Sequence, residues 1–78
     1  MKTYVTFGQE HEHKINGIIF DRNCVAVIDA LNAKAGREKA FKLFGEKFCF
    51  AYAEKNFSMS SLKFFPRGLI NVVGENKQ

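Results

Sequence analysis

The chain opens on an alternation. Thr3, Val5 and Phe7 fall on one side and Lys2, Tyr4 and Thr6 on the other, the period of two expected of a strand with unlike faces. Gly8 ends it. The polar segment 9–17 closes on Asn16-Gly17, a dipeptide that takes positive φ cheaply and so marks a turn, with a short strand over 18–20 on its far side and a second turn at Asp21-Arg22-Asn23. Residues 24–28, CVAVI, form a continuous β-branched run, as expected of a strand covered on both faces or central in its sheet.

After Asp29 the period changes. Ala33, Gly36, Arg37, Ala40, Phe41 and Phe44 recur every three or four residues, which predicts a helix over 33–44 with Asn32 capping its first turn and Gly45 ending its last. A glycine inside a helix costs about 1 kcal/mol relative to alanine, so Gly36 is expected where the helix backbone comes close to the sheet. Alternation returns over 47–53, with Phe48, Phe50 and Tyr52 on one face and Cys49, Ala51 and Ala53 on the other. The small face admits a helix; the aromatic face needs a second cover or a partner. Residues 54–61 read as a polar connection anchored by Phe57, with Ser60 or Ser61 opening a helical turn. Phe65-Pro66-Arg67-Gly68 is a break, residues 69–73 a last strand and 74–78 a fraying tail.

The order strand, hairpin or short strand, strand, helix, strand, strand predicts an α+β fold: a small antiparallel or mixed sheet of about four strands with one helix packed on a face. The helical crossover between 24–28 and 47–53 has the length that parallel pairs use, so those two strands are expected to run side by side.

Seventy-eight residues support one domain, 1–78, because so short a chain buries only about 60% of its unfolded surface. Nine Phe and two Tyr supply the burial that offsets chain entropy. No signal-peptide pattern and no apolar span is read, so a cytoplasmic protein without membrane contact is expected. Cys24 and Cys49, both inside apolar runs, are read as two small buried thiols. A net charge of +4 permits nucleic-acid binding without demanding it.

Candidate chemistry narrows from there. His11 and His13 project to one side of an extended segment and, with Cys24 and Cys49, contain the elements of a Cys2His2 zinc site. Structural zinc sites draw cysteines in close pairs, whereas these are far apart and each embedded in a strand, so no metal and no cofactor is expected. Neither cysteine lies at a helix amino terminus, no serine sits in an elbow motif and no glycine-rich phosphate loop follows a strand. The chain is therefore read as a non-enzyme with no catalytic residues, a metal- or thiol-dependent enzyme being the distant alternative. Lys34, Glu38, Lys42 and Glu46 alternate in sign at four-residue spacing, the signature of a solvated face rather than a phosphate-binding stripe. Lys47, Lys55, Lys63 and Arg67, interleaved with Phe48, Phe50, Tyr52, Phe64 and Phe65, form the better candidate for single-stranded nucleic acid, where cations stand beside stacking rings. An aromatic patch rimmed by cations also has the make-up of a protein interface, and an exposed aromatic or strand-edge surface would serve a homodimer.

The strings YVTFGQ, GREKAFKLFG, KFCFAY, AEKNF and FFPRG together resemble a group of small, mostly uncharacterised proteins encoded by tailed bacteriophages and prophages. The resemblance runs from Tyr4 to Gly68. By position it picks out Thr6, Phe7, Gly8 and Gln9, then Arg37, Phe41, Phe44 and Gly45, then Phe48, Phe50, Tyr52, Phe57, Pro66 and Gly68. The chain departs from it at Phe48-Cys49-Phe50, where an indole is expected, and in its EHEH segment. The resemblance implies a virus-encoded accessory protein that binds a host or phage protein, as an inhibitor of host defence or a regulator, or else binds nucleic acid. Gln9, His11, His13 and Arg37, polar positions that packing does not obviously need, are the expected protein contacts, and Lys47, Lys55, Lys63 and Arg67 the nucleic-acid alternative.

Overall fold

The structure, a computed structural model, describes residues 1–72. It is an α+β fold. Among the described residues six strands are formed: β1 (Lys2–Thr6), β2 (His13–Ile15), β3 (Ile18–Phe20), β4 (Cys24–Asp29), β5 (Phe50–Ala53) and β6 (Gly68–Asn71). One helix, α1 (Ala33–Phe44), lies between β4 and β5, and two 3-10 segments, Glu54–Asn56 and Met59–Phe64, lie between β5 and β6. The main sheet has the order β5-β1-β4-β6, and β2 and β3 form a separate hairpin.

The hairpin turns where expected, with Asn16 at φ 53° and Gly17 at φ 81°, the left-handed pair that a two-residue turn requires. Helix α1 matches its expected bounds. The Asn32 side chain accepts from the Ala35 N–H at 2.8 Å, and the Gly45 N–H, at φ 64°, closes the last turn on the Phe41 carbonyl. Its buried stripe is narrower than the periodicity implied: Gly36, Ala40 and Phe44 are buried, whereas Arg37 is exposed and Phe41 is 44% exposed at the side of the sheet.

Strand β4 is buried from Cys24 to Ile28, as its apolar run predicted, because it is central and covered on both faces. On one face Val5, Phe7, Ala26, Ile28 and Ala51 pack against Ala40 and Phe44 of α1, with Phe20 from the hairpin. On the other, Tyr4, Val25 and Val27 meet Tyr52, Phe57, Leu62 and Phe65, so residues 54–65 are the second cover that the aromatic face needed. Phe57 is its anchor, stacked on Tyr4 with centroids 4.7 Å apart.

Three expectations are corrected. The strands before and after α1 run parallel but are not neighbours: β1 lies between them, antiparallel to both, and the parallel pair is β4 with β6. A crossover helix fixes strand direction without excluding a third strand in the gap. The strand expected over 47–53 begins only at Phe50, opposite Thr6, because the Lys47 N–H still bonds the Phe44 carbonyl in the helix exit. Phe48 is thereby released from the alternation and packs on the helix side, 5.2 Å from Phe41. Finally, Cys24 is buried as expected but Cys49 is exposed, since it precedes the ladder and lies beside Gly8. The last strand ends at Asn71, and Val73 with the expected tail lies outside the described residues.

Candidate functional site

The second cover is not flush with the sheet. Cross-strand partners Tyr4 and Tyr52 place both rings on one face, and so do Thr6 and Phe50. Phe57 follows the first 3-10 turn and wedges against Tyr4 and Tyr52, at 4.7 and 5.7 Å between centroids. The second 3-10 segment then carries Leu62 inward and leaves Phe64 outside, 69% exposed. Between strand and cover a hollow of about 310 Å³ remains, walled by Tyr52, Phe57, Phe64 and Phe65 and edged by Thr6, Asn56, Ser58 and Ser61. Lys63 Nζ stands 5.3 Å from the Phe64 ring centroid.

Rings with a few hydroxyls and one carboxamide make a receptor for an apolar or flat group that carries a hydrogen-bonding edge. Among the described residues its lining holds no imidazole, carboxylate or amine. Asn56, Ser58 and Ser61 were missed in the sequence because a 3-10 path has neither of the periods that reveal faces. The available signal was serine mixed with rings over 56–65 without a period.

The residues expected to contact a protein lie elsewhere. Gln9 and His11 line a shallow hollow with Phe7, Gly8, Glu10 and Cys49, and also a polar one with Asp21, Arg22 and Asn23. Arg37, on the second turn of α1 with its guanidinium carbon 5.9 Å from the Phe41 ring centroid, lines a third hollow with Phe41, Glu46, Phe48, Cys49, Phe50 and Ala51. Cys49 is common to the first and third, so Gln9, His11 and Arg37 are brought to one end of the molecule. His13 is not part of that loop: it opens β2, packs 4.9 Å from the Phe44 ring centroid, and its Nε2 lies 2.6 Å from the Lys47 carbonyl oxygen.

The basic set does not converge. Lys47 and Lys55 flank opposite ends of β5, and only Lys63 stands at the aromatic hollow. Arg67 is engaged internally, donating to the Ile19 carbonyl at 2.6 Å and pairing with Asp21 at 3.5 Å, which ties the turn before β6 to the one before β4.

Thiols and imidazoles are not gathered into a ligand set: among the described residues no three His, Cys, Asp or Glu side chains group as a metal site would. His11 and Cys49 line the same shallow hollow. Burial pushes the Cys24 thiol above its ordinary pKa, against the lowering effects of the Asp21 backbone and Arg67, which keeps it protonated and unreactive. Among the described residues no helix is long and apolar enough to cross a membrane.

Comparison with known proteins returns no match to a family model, a curated protein or a solved structure.

Proposed function

We propose that the chain is a non-enzymatic binding module that docks a partner protein by taking an apolar anchor side chain into the hollow between β5 and the second cover. The observation carrying this reading is that hollow: four rings around about 310 Å³, with the Phe64 wall already 69% exposed. Interface energy concentrates in such sites, where one anchor is desolvated by aromatic walls and its polar edge meets hydroxyls or a carboxamide at the rim. The phage-protein resemblance supports a virus-encoded accessory protein working in the cytoplasm on a host or phage protein, in the manner of a defence inhibitor or regulator. Gln9 and His11, with Cys49, form a secondary contact area at the other end of β5.

Affinity capture from nuclease-treated host lysate tests the proposal, with the wild type compared to Phe64→Glu and Ser61→Arg. Retention of a discrete protein that both variants lose is the expected result; equal retention by all three refutes the hollow as the docking site. A second reading rests on Lys63 beside Phe64, a cation next to an open ring of the kind that holds single-stranded bases. In that case labelled oligonucleotides shift at low salt, the shift weakens with added salt, and Lys63→Glu removes it. No shift at low salt eliminates it.

A further inference from the structure

We infer that two copies of this chain join through the outer edge of β5, making one continuous sheet across a twofold axis. β5 ends the sheet, and its four residues, Phe-Ala-Tyr-Ala, carry no charge and no proline, the usual devices that stop an edge from pairing. The apolar surface continues around that edge on both faces. Phe50, 57% exposed, stands on the covered face beside Tyr52, with centroids 5.6 Å apart, while Phe41 and Phe48 stand on the helix face and line one hollow with Ala51.

The geometry selects a second copy as the occupant. An antiparallel partner related by a twofold axis through Ala51 keeps the pleat in phase and sets Phe50 opposite the second copy's Tyr52, giving two aromatic cross-strand pairs on one face. On the other face Ala51 meets Ala51 of the second copy, small enough for the two α1 helices to approach antiparallel. Charge agrees with this. Arg37 lies about 6 Å before Phe41 along the helix, one turn at 1.5 Å per residue, and Glu46 follows just past the helix end on the other side. Reversing the helix direction across that axis turns Arg37 of each copy toward Glu46 of the other. Neither has an ion-pair partner of its own among the described residues. The surface is self-complementary in backbone, rings and charge, and it is separate from the rim formed by Asn56, Ser58 and Ser61.

Sedimentation equilibrium of the full chain over a concentration series tests the inference. The expected species is a dimer of twice 8.9 kDa. Phe50→Lys should return it to monomer with an unchanged circular dichroism spectrum, because that side chain is mostly outside the core. Arg37→Glu and Glu46→Arg alone should each raise the dissociation constant about tenfold or more by setting like charges together, and the double variant should restore it. A folded chain that stays monomeric at every concentration overturns the inference. So does a dimer indifferent to Phe50→Lys, or one in which the double charge variant is no tighter than the singles.

Discussion

Gly36 of α1 lies directly against Thr3 of β1. A Cβ on Gly36 would collide with the Thr3 hydroxyl and crowd its Cβ, and β1 is held on both sides, so neither partner can withdraw. Gly36→Ala should therefore destabilise by about 1–3 kcal/mol despite the better helix propensity of alanine, as read from urea unfolding. The same approach leaves the Thr3 hydroxyl buried with no hydrogen-bond partner among the described residues. Thr3→Val keeps the shape and removes the orphan, and should raise stability by about 1 kcal/mol or more. The two cysteines separate by reactivity. In the native protein Cys49 should react with a thiol reagent at once and Cys24 only after unfolding. The raised pKa of Cys24 also sets a pH dependence. Its contribution is complete below the ordinary thiol value near 9.0 and declines above it, where the unfolded chain sheds a proton that the folded one retains, so denaturation midpoints should fall on the alkaline side. Gly36 was legible as a close approach because glycine is costly in mid-helix; the exposure of Cys49 was not, because an apolar run does not reveal where its ladder begins.

Among the elements, α1 and β4 were legible to the residue or nearly so. Each carries its own signal, a capped 3.6-residue period in one and an uninterrupted β-branched run in the other. Asn32→Ala should cost about 1 kcal/mol by removing the acceptor for the Ala35 N–H, with a loss of helical signal confined to the first turn. The second cover was only half legible. Phe57 was expected to anchor it, but the hollow depends on which rings a 3-10 path turns inward, and that is decided by contact with Tyr4 and Tyr52 rather than by local propensity. Since this cover is fastened mainly by side chains, its amides should exchange with solvent ahead of those in β1 and β4, and Phe57→Ala should widen that gap. Hydrogen exchange with residue resolution reads both effects.

At the scale of the molecule, the sheet order lay beyond the sequence pattern. Both β4 and β5 display the signals of strands joined by a helical crossover, and nothing local states that β1 enters the space between them. Thr3, Tyr4, Val5 and Thr6 are all buried, with α1 over one face, residues 57–65 over the other, and β4 and β5 on the two edges. The candidate site inherits the same limit, since Thr6 reaches it from β1 and the rest from residues 52–65.

Strand β1 thus takes its two neighbours from segments that lie far apart along the chain. Val5 meets Ala26 about twenty residues further along and Ala51 about forty-five, so the second partner is made about 1–5 s after the first at 5–20 residues per second. Until β5 docks, β1 paired with β4 has an unclosed flank, so a chain cut after residue 45 should scatter light far more than the full chain at equal concentration.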